Sequence, residues 1–243
     1  MSALPPGRPP SASSAFLEGL RTSLGSVFFY VLLGNYIGIG ALSYEFGFDL
    51  VWMVLSTLLI WAAPAQVILI STLNTATLIE VAIAVTLSSV RFLPMVAALL
   101  PMLKDERTRQ RDLVLPMHFT AISVWVEGMR LLPAVPHERR VAFYNGLGTG
   151  LMSAAVIASA IGYTLAAKLP TLMAATLLFL TPMALLMSVS RNTRTLVDGL
   201  AFALGLVVGP VIAAQKIGLD LMWTGLIAGT IAYTVHRLRE ALR

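Results

Sequence analysis

The chain has 243 residues, of which 57% are hydrophobic and only 12% charged, with a mean hydropathy of +0.82. A soluble domain carries about 25% charged residues and could not cover so much apolar surface. The net charge of +5 sits in short basic blocks between apolar runs, as in membrane loops rather than a nucleic-acid surface, and with no cysteine in the chain, disulfides and thiol chemistry are excluded.

The chain opens with MSALPPGRPPSASSA, a Pro/Ser-rich stretch that predicts a disordered tail and carries no cleavable signal peptide. Phe16, Leu17, Leu20 and Leu24 then recur at helical spacing beside Glu18 and Arg21. That pattern predicts a short interfacial helix, so 1–21 is read as a tail with such a helix. Residues 22–236 are read as one transmembrane domain and 237–243 as a basic cytoplasmic tail. Thr22–Tyr44, Leu50–Leu78, Val141–Ala167 and Leu169–Ser190 contain no Asp, Glu, Lys or Arg. Each is longer than the ~20 residues that cross a bilayer, and none alternates as a barrel strand does. The fold class is therefore an all-α, polytopic helical membrane protein.

Eight apolar segments are predicted: 22–44, 50–73, 78–103, 113–133, 141–167, 170–190, 196–214 and 219–236. Eight plain crossings would put Lys104, Arg107, Arg109 and Arg111 on the outer side, against the positive-inside rule. If the second and fourth segments are broken or re-entrant and about six segments span, nearly all basic residues fall inside. Lys168 and Lys216 then lie outside, and Arg91 lies within the membrane. The second segment has a reason to break, since Pro64 removes a helix hydrogen bond and crowds the preceding turn. Interrupted backbone at membrane depth survives only inside protein or around a wet cavity, so this segment is expected to line a pathway. Close helix packing is expected at Gly34/Gly38, Gly146/Gly150, Gly205/Gly209 and Gly225/Gly229, and Gly209-Pro210 is expected to end or kink the seventh segment.

Intramembrane polar residues are rare, so each is a site candidate. A helix restarting near Pro64 would present free N–H groups, with Ala65 and Gln66 in its first turn. Gln66 can hydrogen-bond an amino or carboxylate group, or simply a neighbouring helix. Arg91 can hold a carboxylate in bidentate fashion, or cap carbonyls of the broken segment. Ser88 and Ser89 add hydroxyls near it, unless they bond back to the preceding turn. Asn35 faces either the same cavity or a helix contact. Glu80 complements the dipole of the helix it opens. Glu127 and Arg130 are spaced as an i, i+3 ion pair. Glu127 is alternatively a proton carrier, with His118 as the second proton-coupling candidate. No metal set, no cofactor motif and no GxSxG or GxxxxGK[ST] motif is present, so an enzyme is not expected.

WAAPAQ (61–66), SSVRFLPMVAALLPML (88–103), the basic loop after 103 and FYNGLGTGL in the fifth segment stand in an order that resembles the AzlC family. These are the large subunits of branched-chain amino acid exporters. The likeness runs from about Gly19 to the C-terminus. Gln66 matches the family glutamine and Arg91 its arginine. The resemblance implies secondary export of small apolar amino acids across the bacterial inner membrane, with a small AzlD-like membrane subunit as partner. It also brings Thr120 into the site, where Phe119-Thr120-Ala121-Ile122 stands in place of an acidic spot. Ser89 and Phe92 replace the Asn and His of the family's NLRH stretch. The chain is read as a transporter of this kind, energised by the proton gradient. A scaffold subunit with no substrate site, a carrier of a different metabolite and an intramembrane enzyme are the alternatives.

Overall fold

The computed structural model describes residues 12–73, 76–105, 108–168, 195–215 and 220–241, with isolated positions between 170 and 190. Every regular element among the described residues is helical. The predicted sixth segment, and Arg8, Arg107, Arg191, Arg194, Lys216 and Arg243, fall wholly or mostly outside them.

The first helix, α1 (Ala12–Leu24), begins inside the stretch expected to be disordered. The second, α2 (Val27–Glu45), starts later than the predicted residue 22 because Ser26 caps it, accepting from the Phe28 N–H at 3.1 Å. The two are separated only by Gly25 and Ser26. Both lie along α9 (Arg140–Lys168) and run parallel to it. Gly19 faces Phe143–Leu147, Ser23 faces Gly150, Gly40 faces Ser159–Tyr163, and Tyr44 meets Tyr163 edge-on at 5.4 Å. A Cβ at Gly19, Gly40, Gly146 or Gly162 would collide with backbone of the facing helix. Bare backbones thus approach as closely as small residues allow. Of the apolar residues that mark α1, Phe16 and Leu20 are half-buried against α9. Leu17 and Leu24 are exposed, while Ala15, Gly19 and Ser23 are buried.

Of the four predicted glycine pairs, Gly146/Gly150 makes such a contact. Gly34, Gly205, Gly225 and Gly229 face open space, and Gly209 meets Thr224 at an ordinary 3.5 Å. The contacts that matter join glycines on different helices, which spacing along one helix does not reveal.

Three consecutive segments are interrupted. The second is α3 (Leu50–Ile60) and α4 (Ala63–Thr72), the third α5 (Leu78–Ser89) and α6 (Phe92–Leu103), and the fourth α7 (Gln110–His118) and α8 (Ile122–Leu131). The third was expected to be one plain crossing, but it bends by 43°. The cause is Pro94. A proline cannot bond the carbonyl four residues earlier and collides with it, and that residue is Val90, at the bend. Pro64 acts the same way on Ile60, where α3 ends. The third break, at Phe119–Ala121, has no proline in the corresponding place.

Toward the C-terminus, α10 (Leu196–Gln215) and α11 (Asp220–Ala241) pack on each other. Pro210 does not end α10, which continues five residues beyond it. Three helices are long and apolar enough to cross a membrane, or four if the bent α5–α6 pair is one span. The expected six are not reached among the described residues.

Arginines tie one end of the bundle together. Arg139 pairs with Glu18 at 2.9 Å. Arg140 donates to the carbonyl of Met102 at 3.0 Å and to that of Val135 at 2.9 Å. The middle of α1, the start of α9 and the end of α6 are therefore tied together.

Candidate functional site

The break between α3 and α4 is two residues long. Trp61 has φ of +43° and Ala62 is extended. A left-handed tryptophan is strained by roughly 1–3 kcal/mol and persists only where its surroundings over-determine it. Here they do. The ring is 2% exposed, it stacks on Tyr36 of α2 at 6.1 Å between centroids, and its Nε1 donates to the Phe119 carbonyl at 3.0 Å.

Gln66 sits in the first turns of α4 and is completely buried. Its Nε2 donates to Ser56 Oγ at 2.9 Å and to Thr57 Oγ1 at 2.6 Å, both on α3. In a continuous helix Gln66 and Thr57 would stand about 13 Å apart along the axis. The bonds therefore require a sharp bend. They also leave Gln66 Oε1 buried with no hydrogen-bond partner. No side chain caps α4 at Ala62, Pro64 has no N–H, and Ala65 is fully buried. The start of this helix is thus half-buried at Ala63 and Pro64 and has no side-chain cap.

The α7–α8 break meets the first one. His118 Nε2 lies 2.8 Å from the Leu58 carbonyl in the last turn of α3, so each break bonds the other. The Phe119 ring rests on Gly148 of α9, where a Cβ would collide with it, and the Tyr144 ring rests in the same way on Gly128 of α8. Thr120 donates to the Pro116 carbonyl at 2.9 Å and lies 3.5 Å from the Tyr144 hydroxyl. The α5–α6 break joins them from the other side. Trp125 of α8 donates to the Met95 carbonyl in the first turn of α6 at 3.0 Å. Moreover, α4 packs beside α5. Three helix restarts, at Ala63, Phe92 and Ile122, therefore gather in one region.

The other candidates are placed as follows. Arg91 stands at the α5–α6 break, with its guanidinium over the Phe92 ring at 5.2 Å. Its Nε is buried without a hydrogen-bond partner, and no carboxylate pairs with it among the described residues. Ser89 bonds back to the Val85 carbonyl at 2.9 Å. Asn35 precedes Tyr36 on α2 and is half-buried. Glu80 forms a capping box with Thr77, outside this region. Glu127 forms the ion pair with Arg130 at 2.6 Å and also accepts from Ser26 Oγ at 2.5 Å, which fastens α8 to the start of α2.

The expected Pro64, Ala65, Gln66, Arg91, Thr120 and His118 lie at or beside these breaks, together with Trp61, Tyr36, Ser56, Thr57, Trp125 and Tyr144, which the sequence did not single out. Their signal was faint, because aromatic and hydroxyl residues in apolar helices resemble ordinary packing. The one available cue was Trp61, three residues before a mid-membrane proline.

The sequence pattern of one family, described as AzlC protein, matches residues 27–169, more than half of the chain and inclusive of all three breaks. No match is found among curated proteins or among solved structures. Apolar helices long enough to cross a bilayer, interrupted where buried polar groups gather, fit what this match implies: the chain belongs to the AzlC family of transport-related membrane proteins.

Proposed function

We propose that the chain is the cargo-carrying large subunit of a secondary transporter in the bacterial inner membrane. It exports branched-chain or other small apolar amino acids together with a small AzlD-like membrane subunit. The observation that carries this reading is Gln66, which combines full burial, an unpartnered carbonyl oxygen and a place at an uncapped helix start. A polar group left unsatisfied inside protein costs about 1–3 kcal/mol, and a ligand that satisfies it recovers this. Half-helix starts at membrane depth are a general way to bind charged groups of a cargo. Arg91 and Thr120, at the two neighbouring breaks, complete the site in this reading, with Asn35 and Ser89 at its margin. In this reading the buried Trp61, Ala62 and Gln66 belong to an occluded state that opens to either side.

The proposed topology has α3–α4 and α7–α8 as re-entrant pairs. In its support, Arg140 bonds Met102, so the chain leaves one face after α6 and is back at that face when α9 begins. Two helices of 9 and 10 residues lie between. At 1.5 Å per residue each is only about 15 Å long, half a bilayer. The energy source in this reading is the proton gradient, with Glu127 and His118 as the titrating candidates. One charge crossing 100 mV supplies ~2.3 kcal/mol, enough for a roughly 50-fold gradient.

The test is efflux of labelled valine, leucine and methionine from loaded vesicles containing the protein, with and without a pH gradient. Gln66→Ala and Arg91→Ala abolish efflux if the site is as proposed. Efflux at the wild-type rate in both variants, with normal insertion, refutes the site and favours a scaffold role.

A further inference from the structure

We infer that Gln66 acts on the cargo as a hydrogen-bond acceptor only, and therefore binds its ammonium group and not its carboxylate. The inference rests on the transport reading and specifies its chemistry. A primary amide has one acceptor face and one donor face, and either can meet a zwitterion. Which face is available follows from the two hydroxyls beside it. Each hydroxyl has a single hydrogen. Ser56 spends its hydrogen on the Met53 carbonyl at 2.8 Å, and Thr57 bonds the same carbonyl at 3.0 Å. Both oxygens then have only lone pairs left to offer. Only the amide's NH2 can face them, and it does, one hydrogen to each, at 2.9 and 2.6 Å. This is the amide orientation that the two hydroxyl bonds to Met53 favour. The donor face is fully used, and Oε1 is left buried and bare.

A carbonyl oxygen repels a carboxylate and attracts a cation. The complementary cargo group is an ammonium. The carboxylate of the same molecule then belongs with the positive, uncapped start of α4, the helix that carries Gln66. Gln66 thus becomes the residue that distinguishes an amino acid from the oxo acid or acylated derivative that shares its side chain. A site built to bond a donor rejects an analogue that lacks it strongly, because the buried acceptor is then left unpaired.

The test is binding of tritiated leucine to the full-length protein in lipid nanodiscs. The competitors are unlabelled leucine, N-acetyl-leucine, 4-methyl-2-oxopentanoate and 3-methylbutylamine. Leucine is expected to compete, and the two compounds lacking an ammonium to be weaker by at least tenfold. In the Ser56→Ala/Thr57→Val double variant the amide is no longer pinned and can turn its NH2 inward, so the oxo acid gains affinity relative to leucine. A merely structural role of the three residues would weaken all ligands together. Tight leucine binding with equal competition by the oxo acid overturns this inference and leaves the transport reading intact. Equal ligand preference in the double variant and the wild type overturns it as well. Failure of the wild-type protein to bind valine, leucine or methionine removes the transport reading itself, and this inference with it.

Discussion

Trp61 and Phe119, 58 residues apart in the chain, are joined by an indole-to-carbonyl hydrogen bond of 3.0 Å. The bond runs from one helix break to another, and His118 returns it to Leu58. Two interruptions, each costly alone, satisfy part of each other's exposed backbone.

That reciprocity makes the two bonds interdependent. Trp61→Phe keeps the ring against Tyr36 and removes the donor, at a cost of about 1 kcal/mol. His118→Ala is expected to cost a similar amount. The double variant should lose less than the sum, because residues in one network are not additive. Thermal unfolding of the three proteins in detergent measures this, and simple additivity would show that the breaks are independent.

The bend at Val90 should depend on Pro94. In Pro94→Ala the Val90 carbonyl regains its helical partner, and the 43° angle between α5 and α6 is expected to shrink. The chain has no cysteine, so spin labels can be placed at Ile79→Cys and Ala98→Cys without other changes. Their separation should lengthen in the alanine variant, and an unchanged distance would assign the bend to tertiary packing.

The helix glycines divide into two groups. Gly19→Val and Gly146→Val drive a side chain into facing backbone and should destabilise by about 3 kcal/mol or more, the upper range for overpacking. Gly205→Ala and Gly225→Ala meet open space and should leave the unfolding temperature unchanged or raise it slightly. Size-exclusion profiles and thermal unfolding distinguish the groups.

Glu127 and Arg130 should respond unequally. Glu127 is buried, whereas the Arg130 side chain is 64% exposed. Arg130→Ala leaves a carboxylate in the interior without its cation, at about 3 kcal/mol. Glu127→Gln keeps an acceptor for Ser26 and releases a solvated arginine, so it should cost about 1 kcal/mol. If Glu127 also carries the proton in transport, Glu127→Gln removes the stimulation of efflux by a pH gradient while exchange of cargo across the membrane continues. Gradient-driven efflux at the wild-type level in that variant assigns the residue to structure alone.

Topology has its own test. Lys104→Cys and Glu138→Cys flank the shared end marked by Arg140 and Met102, and both positions are exposed. An impermeant maleimide should label both from the same side of the membrane. Labelling from opposite sides would require α7–α8 to cross.

How much of this was legible beforehand differs from break to break. Composition alone makes the chain a helical membrane protein, because no soluble fold covers such a surface. Pro64 marks the first break, since the clash four residues back is a local property of the chain. Pro94 marks the second by the same rule, yet it lay within an apolar run long enough to pass for one span. At Phe119–Ala121 the local sequence does not demand a break. There the backbone is held by the Trp61 bond and by the seat that Gly148 gives the Phe119 ring, both of which come from distant parts of the chain. Gln66 was visible as a polar residue out of place, but which of its amide atoms stays unpaired was not. That depended on two hydroxyls of α3 having already committed their hydrogens to Met53. Local sterics set where helices stop. Which buried groups remain unsatisfied is settled only when separate helices meet, because hydrogen bonds are counted across the whole interior.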